Sequence, residues 1–380
     1  MDFTFSDEQD ELRATARRFL ADRSPASHVR QMIEDEAGIT PELWSRLVEM
    51  GWPAILVPEA QGGLGLGLVD MIVVLEEMGR VPFPGPFLSS SVFATLAVAR
   101  LGIGELAGDL ASGVRRGTIA LEEYGHGDVV DRITTRAVRK GSRWQLTGTK
   151  PIVFDGHTAD WVLIAARIEA GLGTFLLERP EGDLVPTTDL CRKVARLDLA
   201  ATVAEPVGPG GDQTLMWRRI ADDCTVAVCA ELIGSTEQAL DLAVAYAKER
   251  EQFGRPIATF QAIKHKAAEM LHRLTLARVG TYYAAWASDA DDPERATAAA
   301  MAKADAGEAA VEVTGESIQI HGAVGFTWDC DAHLHYRRAK ATDVLLGDRA
   351  THLARVAERV IHPDRIQPGR TQPDRTVHSI

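Results

Sequence analysis

A guanidinium, an amide and an aromatic ring stand close together in the chain, at a break between two helical patterns. They belong to Arg250, Gln252 and Phe253, and a glycine and a proline follow almost directly. Apolar residues recur at helical spacing from Leu232 to Tyr246, which predicts an amphipathic helix that ends at this break. A guanidinium is well matched to anionic oxygens, although an arginine in the last turn of a helix can also simply complement the helix dipole.

The longer run from Tyr246 to Met270 is more specific than the arginine alone, because Phe260 and Gln261 follow the Arg-x-Gln-Phe-Gly sequence. This run resembles the signature of the acyl-CoA dehydrogenase family. In that family the arginine loop reaches across a subunit interface to the FAD of the neighbouring chain. The resemblance implies that the planar guanidinium of Arg250 pairs with the flavin pyrophosphate. It also implies that the amide and the ring beside it lie against the same cofactor, and that Gln261 helps to fix its adenosine end.

A second segment of interest, residues 317–327, follows another helical pattern and is rich in glycine. Taken alone, it predicts a helix C-terminus with a glycine cap. The family's corresponding Gln-x-x-Gly-Gly-x-Gly segment also touches the neighbour's FAD. Gln319 and Gly322 match that pattern, and Ala323 replaces the second glycine. This change is mild, because a small residue still lets backbone amides come close to the cofactor phosphates.

The family's reaction needs a carboxylate that this chain lacks at the usual place. In that reaction a carboxylate takes the α-proton of an acyl-CoA thioester, and the β-hydrogen leaves as hydride to the flavin. Most members carry this base as a glutamate late in the bundle, where this chain has Leu346. Other members carry it on the first bundle helix, and counting back from Arg250 puts Cys224 at that position.

The carboxylates next to Cys224 are Asp222 and Asp223, and they are the candidate catalytic residues. A shift of one residue turns a helical side chain by about 100°, so neither aspartate replaces the base without a helix irregularity. Acidic residues near a helix start also simply favour the dipole. The identity of the base therefore stays open at this point.

Two segments that face the chain's own flavin in the family are altered here. The family usually has Thr-Glu-Pro-Gly-x-Gly-Ser-Asp where residues 121–128 read Leu-Glu-Glu-Tyr-Gly-His-Gly-Asp. It commonly has Lys-x-Trp-Ile-Thr/Ser-Asn where residues 150–155 read Lys-Pro-Ile-Val-Phe-Asp. The ring-stacking tryptophan and the hydroxyl that bonds the flavin are missing. The groups for the neighbour's FAD are thus retained, while those for the chain's own FAD are weakened.

This asymmetry suggests one half of a heteromeric, α2β2 acyl-CoA dehydrogenase, similar to actinobacterial enzymes that act on steroid side-chain CoA esters. The resemblance implies FAD, an acyl-CoA substrate, a dimer of dimers and an electron acceptor flavoprotein. Three alternatives remain open: an active FAD enzyme, alone or in a mixed complex; a non-catalytic subunit; or a flavin enzyme with other chemistry, such as acyl-CoA oxidases or flavin monooxygenases.

The elements that position these residues divide the chain into regions. Residues 1–114 carry helical patterns, 115–213 carry strand patterns, and 214–362 return to helix, while 363–380 form a polar tail with prolines. The predicted fold class is α+β, with an N-terminal helical domain, a middle antiparallel β domain and a C-terminal four-helix bundle. This is also the architecture of the family. The four long helices are predicted at about 215–251, 258–288, 293–320 and 329–361.

The composition restricts which binding partners and which cellular compartment we expect. The 380 residues are 46% hydrophobic and 25% charged, which is typical of a globular protein. A net charge of −13 leaves no basic footprint for nucleic acid or a membrane surface. No apolar run is long enough to span a bilayer, and the acidic N-terminus is unlike a signal peptide. The four cysteines form no Cys-x-x-Cys pair, so we expect reduced thiols in a cytoplasmic protein.

One group of residues has the types of side chain that bind metal ions. It consists of two histidines, His333 and His335, that follow a cysteine and two aspartates closely. Histidines two positions apart on a helix point about 200° apart, so they cannot readily share one ion. We therefore predict no metal there.

Overall fold

The N-terminal part of the chain is helical, as its patterns predict. The computed structural model describes residues 5–361, so the predicted tail lies outside the described residues. Ser6 caps the first helix. Its hydroxyl oxygen accepts from the Gln9 backbone N–H at 3.2 Å, and the Gln9 side chain accepts from the Ser6 backbone N–H at 3.1 Å. The elements are α1 (Asp7–Arg23), α2 (Ala26–Glu34), α3 (Pro41–Glu49), α4 (Leu68–Arg80), a π-helical segment (Phe87–Ala94), α5 (Thr95–Leu101) and α6 (Ala107–Ser112).

The middle part is a sheet that closes on itself. Pairing runs from β4 through β2, β3, β7 and β5 back to β4, so five strands form a barrel, with β1 beside β4 and β6 beside β7. The pairs are antiparallel, except that β4 runs parallel to β1 and, over one residue pair, to β2. The strands are β1 (Gly117–Ala120), β2 (Arg136–Lys140), β3 (Arg143–Phe154), β4 (Trp161–Ile168), β5 (Gly171–Glu178), β6 (Asp183–Val185) and β7 (Val194–Val207).

The C-terminal part contains three long helices, α7 (Thr214–Glu249), α8 (Gln261–Asp289) and α9 (Arg295–His321). The fourth helix predicted at 329–361 is instead two, α10 (Ala332–Asp343) and α11 (Arg349–Ile361). The chain breaks at Leu346 and Gly347, whose φ angles are 58° and 109°. A left-handed leucine is costly, so the surrounding structure must impose it. The predicted fold class is confirmed, with a bundle whose last member is interrupted.

A buried interface joins α4 to α7 at a close helix crossing. A methyl group on Gly234 would lie 1.8 Å from the Glu76 carbonyl oxygen, and one on Gly79 would lie 2.2 Å from the Glu231 carbonyl oxygen. Only hydrogen fits at these two positions, because backbone atoms of the facing helix cannot move aside like a flexible side chain. None of the helices between residues 5 and 361 has the length and apolar character to cross a membrane.

The close approach of α4 and α7 predicts that one added methyl group lowers the free energy of unfolding at the crossing but not elsewhere. We expect Gly234→Ala to lower the free energy of unfolding by about 1–3 kcal/mol, because the methyl group forces α4 and α7 apart. The matched control is Gly280→Ala in α8, where the nearest atom would lie 3.9 Å from the added carbon. That change should be neutral or slightly stabilising. Chemical denaturation measures both, and equal losses would show that the crossing is not the cause.

Candidate functional site

Arg250 ends α7 and leads directly into a short hairpin. Its backbone N–H donates to the Tyr246 carbonyl at 2.8 Å, and its carbonyl accepts from the Ile257 N–H at 2.8 Å. The hairpin turns at Phe253 and Gly254, whose φ angles are 54° and 75°. Two consecutive left-handed residues give the turn type that suits a two-residue hairpin. The two strands are β8 (Glu251–Gln252) and β9 (Arg255–Pro256).

Three helix ends meet beside this hairpin. The Tyr246 ring at the end of α7 stacks on the His321 ring at the end of α9, with 4.6 Å between ring centroids. Gln261 is the first residue of α8, and Ile320 of α9 lines a cavity of about 240 Å³ together with residues from α7 and α8. The structure thus brings the predicted cofactor residues to one end of the bundle, all of them exposed. They are Arg250, Gln252, Phe253, Gln261, Gln319, Gly322 and Ala323.

The chemistry of this end suits an anion such as a pyrophosphate. The first turn of α8 holds no acidic residue and its N-cap side chain makes no capping bond, so its N–H groups and positive dipole end face outward. Arg250 is exposed, and its guanidinium takes part in none of the ion pairs among residues 5–361. The Phe253 side chain is 92% exposed. An exposed cation and an exposed ring are what a surface needs if another chain supplies the rest of the site.

A second candidate site is a cavity of about 490 Å³ between the barrel and the bundle, which opens to the surface at the exposed residues Tyr124 and Val344. Both segments that the resemblance assigns to the chain's own flavin contribute to its wall, and the end of α10 closes it. Its lining includes Glu122, Glu123, Tyr124, Gly125, Arg132, Pro151, Ile152, Phe154, Asp189, Arg192, Ala341, Val344 and Leu345.

A carboxylate that the sequence patterns do not single out lies in this wall. Glu122 is buried and accepts from Arg132 Nη2 at 2.9 Å and from the Leu346 backbone N–H at 2.6 Å. Burial raises the pKa of Glu122, against the opposing effect of the Arg132 guanidinium. The motif comparison does not indicate these contacts, because Glu122 stands at the glutamate of the family motif in the register of residues 121–128.

The turn that carries Leu346 is held by side chains from separate elements. Lys303 of α9 donates to the Asp343 carbonyl at 2.7 Å and to the Gly347 carbonyl at 3.2 Å. The His352 ring lies 3.1 Å from the Leu346 carbonyl oxygen, and burial lowers the pKa of this histidine to about 3. These bonds satisfy backbone groups that the broken helix leaves open, which explains the interruption of the fourth helix.

The cavity wall does not fit a flavin ring in the family's manner. Ile152 and Phe154 stand in the segment where the family carries its stacking tryptophan and its hydroxyl. The Arg192 guanidinium lies 5.1 Å from the centre of the Phe154 ring, and Phe93 packs against the same ring at 6.1 Å. This part of the wall is therefore apolar and already packed.

The two candidate aspartates are both held in ion pairs, and neither lines this cavity. Asp222 accepts from Arg355 at 2.5 Å, and burial raises the pKa of Asp222 to about 6 against that guanidinium. Asp223 lies 2.9 Å from Arg100 Nε and 3.3 Å from the guanidinium of a second arginine, Arg219.

The thiol of Cys224 is fully buried, and burial raises its pKa well above the ordinary range. A thiol in that environment does not accept protons as a thiolate. At the other family position Leu346 has no ionisable group. The structure therefore offers no free base at either place, although the catalytic role of the aspartates stays a prediction.

A buried ion pair anchors the loop that carries Glu122. Glu123 Oε1 lies 2.7 Å from Lys150 Nζ in an ion pair, and both side chains are almost fully buried. The Glu123 carboxylate accepts from Thr134 and from the Thr135 N–H. Burial alone would raise the pKa of Glu123, but the Lys150 ammonium and these bonds lower it to about 2. Burial lowers the pKa of Lys150 to about 8, despite the attraction of the carboxylate.

Comparison with known proteins places this geometry in a family. Residues 6–129 match the acyl-CoA dehydrogenase N-terminal domain, and residues 215–361 match the acyl-CoA dehydrogenase C-terminal domain. The acyl-CoA dehydrogenase IpdE2 of Mycolicibacterium smegmatis is 33% identical over 359 residues, which cover 93% of this chain and 99% of the relative.

Two solved structures extend the comparison. A variant of the steroid ACAD Tcur3481–Tcur3483 is 32% identical, with a TM-score of 0.86 over 94% of this chain and 99% of that one. The ChsE4–ChsE5 complex of Mycobacterium tuberculosis is 29% identical, with a TM-score of 0.84 over 95% of this chain and 99% of that one.

The Glu123–Lys150 pair predicts an acid-sensitive contribution to stability. A carboxylate whose pKa falls from 4.5 to about 2 on folding stabilises the protein above pH 4.5, and this stabilisation is lost as the pH falls towards 2. We expect Glu123→Gln to lower the free energy of unfolding at pH 7 by about 3 kcal/mol, because Lys150 is left buried without its partner.

The same variant should flatten the fall in stability between pH 4.5 and 2. Denaturant unfolding at a series of pH values measures this. Glu178→Gln, at an exposed position in the same barrel, is the control and should leave the pH profile unchanged. A variant as stable and as acid-sensitive as the wild type would contradict the assignment.

Proposed function

The chain belongs to the acyl-CoA dehydrogenase family, and from that premise we propose that it is one subunit of a heteromeric, FAD-dependent acyl-CoA dehydrogenase. In this assembly it completes the flavin site of a different chain and holds no flavin ring of its own. The assembly catalyses α,β-dehydrogenation of an acyl-CoA thioester, and bound FAD supplies the hydride acceptor. The observation that carries the proposal is a contrast between two places. At the bundle end, Arg250, Gln252, Phe253 and Gln261, which we call the clamp, are exposed. In the cavity wall, Phe154 is already packed against Phe93 and Arg192.

The residues of the clamp suit a cofactor that is bound mainly by another chain. Arg250, Gln252 and Phe253 project from a hairpin, and Gln261 begins α8 next to it. A guanidinium and free helix N–H groups hold pyrophosphate oxygens, while amides suit the polar adenosine end. Gln319 with the small residues after it lies at the same end and supports the same cofactor. These groups are exposed on a single copy of the chain, so we propose that the partner chain supplies the remaining walls.

The proton-accepting base is proposed to lie on the partner. Leu346 and Cys224 stand at the two family positions, and neither accepts a proton under ordinary conditions. Asp222 and Asp223 are already engaged by arginines, so a proton gained there would cost an ion pair. We infer that both aspartates stabilise the start of α7 against its neighbours and that the reaction uses a carboxylate of the partner chain.

The substrate is proposed to be a CoA ester with a bulky acyl group. The support is that one similar structure is described as a steroid ACAD and another as a complex of two different chains. The reduced flavin of the assembly passes its electrons to an electron acceptor flavoprotein, as the family resemblance implies.

Flavin stoichiometry tests the proposal directly. We expect the chain alone to be colourless, and the chain co-purified with a second acyl-CoA dehydrogenase chain encoded beside it to carry one flavin per two chains. Visible absorbance and native mass together measure this ratio. A homo-oligomer of this chain with one flavin per chain would contradict the proposal, and so would an assembly that stays colourless with every such companion.

Removing the clamp arginine should affect the cofactor and leave the fold intact. We expect Arg250→Ala to weaken FAD retention in the mixed assembly by about 10- to 100-fold, the effect of losing a charge-assisted hydrogen bond. The melting temperature of the isolated chain should not change, because the guanidinium is exposed. Arg139→Ala, at an exposed arginine on β2, is the control and should retain FAD normally. Equal retention in both variants would remove Arg250 from the cofactor site.

A further inference from the structure

We infer that an exposed apolar patch at the end of α9 is the surface on which the companion chain docks, and that it supplies most of the affinity between the two chains. The patch consists of Val324, Phe326 and Trp328, which we call the apolar patch. This inference rests on the proposed function. It goes further because it separates the residues that hold the partner from those that hold the cofactor.

The apolar patch places three large apolar side chains in solvent within residues 324–328. Val324, Phe326 and Trp328 are 46%, 74% and 54% exposed, and the exposed polar residues Thr327 and Asp329 stand beside them. Single exposed apolar residues are ordinary, but a group of them with a polar rim marks an interaction site. Phenylalanine and tryptophan are also enriched in the centres of protein interfaces. The composition of the patch therefore fits a protein partner.

The backbone beneath the patch is ordered by this chain alone. Gly325 is buried, and a methyl group there would lie 2.9 Å from the Ile318 carbonyl oxygen, so the segment packs directly on the end of α9. The Thr327 N–H and its hydroxyl both donate to the Val324 carbonyl, at 3.0 and 2.8 Å. A surface that is already ordered loses less conformational entropy when it binds.

Trp328 is anchored through both its backbone and its ring. Its carbonyl accepts from Arg30 Nη2 at 2.9 Å, and Arg30 also pairs with Asp331 at 2.7 Å. The indole meets the His333 ring edge to face, with 4.8 Å between ring centroids. This chain thus holds one side of the indole, while about half of the residue stays exposed. An anchored, half-exposed ring is suited to fill a recess in a partner.

The position of the patch identifies the companion chain as its occupant. The stacked rings of Tyr246 and His321 join the last turn of α7 to the last turn of α9. Arg250 follows Tyr246 by about 6 Å along the axis of α7. Phe326 follows His321 through a 3₁₀ helix (Gly322–Phe326) of about 10 Å. A standard interface buries about 800 Å² per chain, equivalent to a disc about 32 Å across. A companion that covers the clamp on one side of the stack therefore covers the patch on the other.

The patch also defines the surface that complements it. The companion should present an apolar recess that accepts an aromatic ring, bordered by polar groups that meet Thr327 and Asp329. Apart from Phe253, the clamp consists of polar groups and adds little apolar area. Since apolar burial is the main favourable contribution to most protein association, the affinity between the chains comes from the patch.

The test measures binding of the full-length chain to the second acyl-CoA dehydrogenase chain encoded beside it, with FAD in excess. We expect Phe326→Ala combined with Trp328→Ala to raise the Kd of the assembly by about 30-fold or more, because two buried rings are lost from the interface. Sedimentation velocity at a series of concentrations measures this Kd. At concentrations far above it, the variant assembly should retain FAD in dialysis as the wild-type assembly does, whereas Arg250→Ala should not.

A second variant guards against a local loss of structure, because Trp328 packs on His333. Phe326→Ala alone leaves that contact intact and should raise the Kd by about tenfold, while the melting temperature of the isolated chain stays unchanged. Leu215→Ala is the control. Leu215 is 81% exposed at the opposite end of α7 from Arg250, so its truncation should leave the Kd unchanged.

The outcomes separate this inference from the proposed function. An assembly that keeps the wild-type Kd in both patch variants and carries one flavin per two chains would overturn the inference alone. A wild type that binds no companion would overturn the proposed function and the inference together.

Two further outcomes would assign the patch differently and also overturn the inference. One is a homodimer of the isolated chain that Phe326→Ala dissociates, because a second copy would then cover the patch. The other is a loss of FAD from the fully formed variant assembly as large as that in Arg250→Ala, because the patch would then belong to the cofactor site. A higher Kd in both patch variants, with FAD retained and the Leu215→Ala control unchanged, supports the patch as the docking surface.

Discussion

Buried charge between the barrel and the bundle is the constraint on which the arrangement of this molecule depends. Arg338 of α10 is 1% exposed, and its Nε lies 2.9 Å from Asp189, while Arg192 pairs with Glu231 of α7. A second guanidinium nitrogen of Arg338 donates to the Phe83 carbonyl at 3.1 Å. Each charge needs its partner, since one left alone would carry the full cost of desolvation. The N-terminal helices, the barrel and the bundle are therefore held in one relative position, and the cavity between them has a fixed shape.

This constraint separates the molecule into two kinds of surface. Beside the cavity, Glu122, Glu123 and Asp189 each have a cationic partner. At the bundle end, the guanidinium of Arg250 takes part in none of the ion pairs among the described residues, and the first turn of α8 holds no acidic residue. Polar groups without hydrogen-bond or ion-pair partners are free to bind a ligand, whereas groups that are already paired with one another are not. The bundle end therefore presents exposed groups that can take a ligand, whereas the carboxylates of the cavity wall are engaged by cations of the same chain.

The sequence predicts features that depend on local repetition and misses those that depend on contact. Helical spacing indicates α7, α8 and α9, and alternation and apolar runs indicate the strands of the barrel. Strand direction is not encoded in alternation, so the parallel pairing of β4 with β1 could not be predicted. The break at Leu346 had only one local signal, Gly347, because bonds from Lys303 and Glu122, remote in sequence, impose it. A long motif marks Arg250, Gln252 and Gln261 as candidates, and their contact with a cofactor stays a prediction, whereas no motif marks the contacts that Glu122 makes with Arg132 and Leu346.

Glu122 and the turn at position 346 depend on each other. Leu346 donates its N–H to Glu122 at 2.6 Å, so the barrel loop and the turn between α10 and α11 share one buried hydrogen bond. Burial raises the pKa of Glu122, while Arg132, Lys303 and Lys150 are the cations that favour its ionised carboxylate. A change at either residue would therefore disturb the other element, because the buried N–H and the buried carboxylate each need a partner.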